Sequence, residues 1–199
     1  MTATASPAVD TAPSPAEAPA RALPCIITIF GATGDLTMRK LLPAIYNLTR
    51  DGTLHENTVV VGFARRPKTD EQFRQEMLDG VQKFSRTKPV DPGIWEKVAS
   101  KLFYHQSTFE DAEGYKRLAE RFAELDKQFN IGGRRLYYLS TSPAEFAPII
   151  QHLGETGLGN IKNAFEPWDT DRLLDETRHP LRAFDRTLKP YAWVGDHYR

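Results

Sequence analysis

A glycine turn between an apolar run and a helical pattern is the feature of this sequence that points most directly to chemistry. Gly31 and Gly34 follow the apolar residues 25–30 and precede a segment with helical spacing. Backbone amides at a helix start are unpaired, and the helix dipole favours an anion there. A glycine also lets the backbone approach a phosphate without a Cβ in the way. The pattern predicts the pyrophosphate site of a dinucleotide-binding domain, and the alternative is an ordinary strand-to-helix turn.

Two arginines follow the next predicted strand. Arg65 and Arg66 stand just after the β-branched run at residues 58–63. In a dinucleotide-binding fold this position lies near the adenosine ribose, where an acidic residue would accept the 2′-hydroxyl of NAD. Arginines attract a 2′-phosphate instead, through paired N–H groups. The predicted cofactor is therefore NADP, and the alternative is a solvated pair of arginines.

Strand-like and helix-like segments alternate along the chain, which predicts a parallel sheet with right-handed crossovers. The fold class is α/β, a Rossmann-like doubly wound sheet. The predicted strands cover residues 25–30, 58–63, 102–105 and 135–140. The predicted helices cover residues 36–50, 69–84, 94–101 and 112–129, with a last helix opened by Pro143. The first helix is expected to have Asp35 as its N-cap and to carry Leu41, Leu42, Ala44, Ile45 and Leu48 on one face.

The composition excludes several classes of partner. The 199 residues include 26 basic and 26 acidic ones, so no strong field favours nucleic acid or an anionic membrane. No apolar run approaches the roughly 18–20 residues of a membrane span. One cysteine, Cys25, indicates a reducing, cytoplasmic compartment. The histidines lack the spacing of metal ligands, and we expect no metal site; His105 alternates with strand residues and is interpreted as structural.

Three regions of the chain differ in composition and pattern. Residues 1–22 are rich in alanine and proline and are predicted to be a disordered tail. Residues 23–160 carry the alternating pattern and are predicted to form the NADP-binding domain. Residues 161–199 are polar, with one plausible helix and no obvious strand, and are interpreted as a divergent C-terminal segment.

Four segments together resemble the N-terminal coenzyme domain of glucose-6-phosphate dehydrogenases. They are Phe-Gly-Ala-Thr-Gly-Asp-Leu at residues 30–36, Arg-Lys-Leu-Leu-Pro-Ala-Ile-Tyr-Asn at 39–47, Val-Val-Gly-Phe-Ala-Arg at 60–65, and Arg-Leu-Tyr-Tyr-Leu-Ser at 135–140. Thr33 keeps a hydroxyl where the family has serine, and Thr37 replaces the family's alanine. The resemblance covers about residues 24–158.

The resemblance implies roles for individual positions. Lys40 would lie beside the coenzyme near the active centre, Arg65 would bind the 2′-phosphate, and Ser140 would lie close to the nicotinamide half. The coenzyme turn would consist of Gly31, Thr33, Gly34, Asp35 and Leu36. The substitution Gly31→Val is expected to abolish coenzyme binding with a smaller effect on folding.

The chain departs from the family pattern after about residue 160. The family continues with Glu-Lys-Pro-Phe-Gly and then Arg-Ile-Asp-His-Tyr-Leu-Gly-Lys-Glu, which supply the catalytic histidine, its aspartate partner and sugar-phosphate contacts. Residues 165–168 here read Phe-Glu-Pro-Trp, and residues 195–198 read Gly-Asp-His-Tyr. Asp196 and His197 are the catalytic candidates, either a remnant of that segment or a chance match. The family's C-terminal α+β domain, with most of the sugar site and the oligomer contact, is expected to be missing.

The resemblance implies oxidation of glucose 6-phosphate to the lactone with NADP, a step of the pentose phosphate pathway in which a histidine acts as general base. This chain is expected to supply the coenzyme-binding half and to be inactive alone. One alternative is a catalytically silent NADP-binding module. Another is a different Rossmann oxidoreductase or epimerase, but the Tyr-x-x-x-Lys pair typical of that class is absent from the sequence.

Overall fold

The computed structural model describes residues 22–159, which form a four-stranded parallel sheet covered by helices on both faces. The strands are β1 (Ile26–Phe30), β2 (Val59–Ala64), β3 (Leu102–Gln106) and β4 (Arg135–Leu139). Their order is β3-β2-β1-β4, and every pairing is parallel. The predicted α/β, Rossmann-like sheet is confirmed, and each strand ends within one residue of its predicted bounds.

The helices form two layers. They are α1 (Leu42–Arg50), α2 (Asp70–Phe84), α3 (Pro92–Ala99), α4 (Ala112–Phe129) and α5 (Phe146–Glu155). The first three pack on one face around Leu42, Phe73 and Val98. The last two pack on the other face, where Phe122 and Ile149 are buried. Helices on both faces confirm the doubly wound arrangement.

Side-chain caps decide where two of the helices begin. Thr69 caps α2 in a reciprocal capping box with Gln72, at the predicted start of that helix. The next helix, α3, starts at Pro92, two residues before the predicted position. The cause is Asp91, whose carboxylate accepts the amides of Gly93 and Ile94 at 2.7 and 3.0 Å.

The first helix begins differently from the prediction. Helical geometry starts at Asp35 itself, so this residue does not act as the expected N-cap, and its carboxylate accepts Arg39 Nη1 at 3.2 Å. A π-helical turn at Thr37–Leu41 then precedes α1, and the amide of Leu42 donates to the Thr37 carbonyl five residues back. Such a turn holds one residue more than a regular α-helical turn.

The face of α1 that packs on the sheet differs in part from the predicted one. Leu42 and Ile45 are buried as predicted, whereas Ala44 and Leu48 are exposed. The predicted single apolar face is therefore wrong at these two positions. Both residues lie within the regular helix α1, where about 100° of rotation per residue places them on the side opposite to Leu42 and Tyr46.

Two absences apply to residues 22–159 only. No helix there combines the length and apolar character needed to cross a membrane. No group of three or more metal-ligating side chains comes together in that part of the chain either. The predictions for the N-terminal tail, the C-terminal segment, Asp196 and His197 lie outside the described residues.

Candidate coenzyme site

The carboxyl ends of three neighbouring strands bring the predicted site residues to one edge of the sheet. Gly31 directly follows β1, Arg65 follows β2 and Ser140 follows β4. The strands β2 and β4 flank β1 in matched register, so these three positions are adjacent. Ligands of open α/β sheets bind at this edge.

Backbone hydrogen bonds fix part of the turn after β1. The Gly31 and Ala32 amides both donate to the Phe63 carbonyl, at 2.9 and 3.2 Å, and the Gly34 amide donates to the Gly31 carbonyl at 2.9 Å. Among residues 22–159 the amide of Thr33 has no acceptor. Thr33, half-buried at the turn, therefore offers an N–H group for an anion.

Gly31 itself has a φ of +80°, a backbone conformation that strains any residue with a Cβ. The substitution Gly31→Val would therefore disturb the fold directly. This corrects the expectation of a smaller effect on folding, because the backbone conformation itself requires glycine, whether or not a phosphate is bound.

The helix start presents a mixed surface beside the turn. Asp35, Leu36 and Lys40 are exposed, and Leu36 retains 43% of its accessible surface. Lys40 lies in the π-helical turn, so its direction differs from that on a regular helix. Thr37 is fully buried, and its hydroxyl has no hydrogen-bond partner in the described part of the chain.

Both arginines after β2 are exposed, and neither forms an ion pair with any residue in the range 22–159. Most other arginines in this range pair with a carboxylate, for example Arg74 with Asp70. Arg65 and Arg66 therefore present two uncompensated positive charges at the carboxyl edge of the sheet.

Tyr104 supports the arginine segment, a role that no local sequence pattern predicts. Its hydroxyl lies 2.6 Å from the Arg66 carbonyl and 3.2 Å from the Ala64 carbonyl. Burial, and secondarily the Glu76 carboxylate, raises the pKa of Tyr104 to about 12, which keeps the phenol a neutral donor. The sequence shows only that an aromatic residue stands in strand β3. Which carbonyl groups its hydroxyl reaches depends on the pairing of Tyr104 with Gly62 across the sheet.

His105, interpreted from sequence as structural, is buried in β3. Its Nε2 atom lies 2.9 Å from the Gly114 carbonyl, and burial lowers the pKa of the ring. The ring also packs against Phe63, with centroids 5.3 Å apart. These contacts confirm the structural interpretation.

Comparisons with known proteins agree with the geometry. Residues 28–169 match a family model described as "Glucose-6-phosphate dehydrogenase, NAD binding domain". The glucose-6-phosphate 1-dehydrogenase of Chlamydia muridarum is 49% identical over 154 residues, covering 77% of this chain and 30% of that protein. The enzyme of the same name from Chlamydia pneumoniae is 46% identical over 184 residues, covering 88% of this chain and 36% of that protein.

Solved structures give the same result. A glucose-6-phosphate dehydrogenase in complex with its substrate glucose 6-phosphate superposes with a TM-score of 0.60 at 30% identity, covering 67% of this chain and 28% of that one. This chain spans about a third of the length of the curated relatives named above. On the match over residues 28–169, the chain belongs to the glucose-6-phosphate dehydrogenase family and carries its nicotinamide-dinucleotide-binding domain.

Proposed function

We propose that this chain binds NADP at the carboxyl edge of the sheet. The observation that supports this most strongly is the pair Arg65 and Arg66, exposed and unpaired among the described residues at the end of β2. An arginine there can donate two N–H groups to a 2′-phosphate. A carboxylate that could select the 2′-hydroxyl of NAD is absent from the segment 62–66.

The residues present fit such a coenzyme. The free amide of Thr33 and the helix start at Asp35 would receive the pyrophosphate. Arg65 would hold the 2′-phosphate, while Lys40 and Ser140 would lie toward the nicotinamide end. When bound, the coenzyme supplies the hydride acceptor. The chain's own residues would bind and orient it, and the half-buried Tyr104 hydroxyl holds the arginine segment by its backbone.

The proposed reaction is the family's oxidation of glucose 6-phosphate to the lactone, with this chain supplying the coenzyme half. The chain spans about a third of the length of its relatives, and the catalytic candidates Asp196 and His197 lie outside the described residues. The same coverage supports a second candidate, an NADP-binding module that is catalytically silent alone. The two differ in whether hydride transfer follows binding.

The test of coenzyme choice is calorimetric titration of the full chain with NADP⁺ and with NAD⁺. One charge-assisted contact contributes on the order of 1.5–3 kcal/mol, which corresponds to about a tenfold to hundredfold preference for NADP⁺. Arg65→Ala should remove most of this preference. The matched control is Lys127→Ala, which removes an exposed positive charge from the last turn of α4, at the opposite end of the sheet.

Two results would contradict the proposal. Equal affinities for the two coenzymes would show that the arginines do not select a 2′-phosphate. An Arg65→Ala variant with unchanged NADP⁺ affinity would place the phosphate contact elsewhere.

A further inference from the structure

A cleft of about 460 Å³ lies at the amino end of the sheet, away from the coenzyme edge. It is bounded by the loop between α1 and β2 and by the end of α3, and Thr58, just before β2, lines it. Arg65 lies seven residues further along the chain, just after the other end of β2. At about 3.3 Å per residue the two ends are roughly 23 Å apart. A ligand in this cleft would not touch the coenzyme turn.

The floor of the cleft is apolar. The lining side chains Ile45, Val60 and Val98 belong to the buried cluster between the sheet and α1–α3, and Leu54 packs against it. Ile45 belongs to α1, Leu54 to the loop between α1 and β2, Val60 to β2 and Val98 to α3. They would cover the hydrocarbon part of a small organic molecule.

The rim of the cleft is cationic. Lys97 lies in the last turn of α3 and Lys101 just after it, and neither ammonium group forms an ion pair or hydrogen bond within residues 22–159. Glu56 also lines the cleft but pairs with neither of these lysines. The two ammonium groups are therefore free to pair with an external anion.

His55 adds an imidazole N–H donor to this rim. Its Nδ1 atom accepts the amide of Asn57 at 3.0 Å. That acceptor role places the proton of the neutral ring on Nε2, since a neutral imidazole has one donor and one acceptor nitrogen. His55 lines the same cleft as the two lysines.

We propose that this cleft binds a small organic carboxylate with an apolar body, of the medium-chain type. The carboxylate would pair with Lys97 and Lys101 and accept from His55, since charged donors to a carboxylate are the stronger class of hydrogen bond. The hydrocarbon part would lie on the floor formed by Leu54 and Val98. This site is separate from the coenzyme edge and does not depend on the proposed reaction.

The probe is octanoate, titrated into the full chain by calorimetry and by amide chemical shifts of residues 52–58. We expect octanoate to bind saturably at one site. Its affinity should be at least tenfold weaker in the double variant Lys97→Gln/Lys101→Gln, and the neutral analogue octanol should bind the unchanged chain at least tenfold more weakly than octanoate does. Lys127→Gln is the matched control, an exposed lysine outside the cleft, and should bind octanoate as the unchanged chain does. Thr53→Trp, at an exposed lining position, should fill the cleft and block binding.

The affinity for NADP⁺ should be the same in all of these variants, which separates the cleft from the coenzyme site. Three outcomes would overturn the proposal. They are no saturable binding of octanoate, equal affinity in the double lysine variant, and displacement of octanoate by NADP⁺.

Discussion

A Cβ atom placed on Gly31 would lie 2.3 Å from the carbonyl oxygen of Ser140 and 3.0 Å from its carbonyl carbon. The backbone of the coenzyme turn thus lies directly against the backbone that leaves β4, and the Ser140 amide extends the contact by donating to Phe30 at 2.9 Å. Gly31 therefore lets the turn approach the backbone that follows β4, where a Cβ atom would have no room.

Gly31→Ala should lower the free energy of unfolding as well as coenzyme affinity. The positive φ contributes on the order of 1–2 kcal/mol, and the contact with Ser140 about 1–3 kcal/mol more. Urea unfolding measures this effect. The control is Gly154→Ala in α5, where a Cβ meets nothing within 4 Å; it should stabilise by about 0.5–1 kcal/mol. Equal unfolding midpoints for Gly31→Ala and the unchanged chain would contradict this interpretation.

Tyr104→Phe should weaken NADP⁺ binding, although the Tyr104 side chain is not proposed to contact the coenzyme. Loss of the hydroxyl frees the Arg66 carbonyl, which it contacts at 2.6 Å, and so loosens the segment that carries Arg65. A lost hydrogen bond contributes about 0.5–1.5 kcal/mol, so affinity should fall by up to about tenfold. Calorimetric titration measures it, with the exposed Tyr138→Phe as control. If NAD⁺ and NADP⁺ weaken equally, the tyrosine does not act through the arginine segment.

Stability should fall with pH below about 6.5 because of His105. Burial lowers the pKa of this ring from 6.5, so between the two pKa values the unfolded chain binds a proton that the folded chain does not. The contribution of His105 to the free energy of unfolding is complete above pH 6.5 and is lost as the pH falls through the pKa of the ring in the folded chain. Urea unfolding at pH 5, 6 and 7 should show this slope, reduced in His105→Gln. An unchanged slope in that variant would assign the pH dependence to other groups.

The full chain alone should form little NADPH from glucose 6-phosphate. Catalysis needs coenzyme, sugar phosphate and base at near-attack distance, and a displacement of about 1 Å can lower the rate a hundredfold. The chain spans 30% of the length of its Chlamydia muridarum relative. NADPH absorbance with saturating substrate measures turnover. Turnover within tenfold of the usual range of about 1–1000 per second, abolished in His197→Asn, would show a working enzyme.

Local sequence determined the elements and the family. The four strands and the bounds of α4 followed from short-range patterns, because side-chain periodicity acts within a few residues. The glycine turn and the arginine pair likewise marked the edge of the sheet where the structure brings Gly31, Arg65 and Ser140 together. This edge is predictable because parallel strands place their carboxyl ends side by side.

Tertiary structure alone decided the features that depend on distant contacts. The packing of α1 on the sheet buries the side with Leu42, Ile45 and Tyr46 and leaves Ala44 and Leu48 exposed. Tyr104 reaches the arginine segment only through the register of β2 and β3, and Gly31 needs its missing Cβ because Ser140, 109 positions later in the sequence, lies against it. Pairing register and backbone contact join residues far apart in the chain, and no local periodicity encodes which atoms will meet.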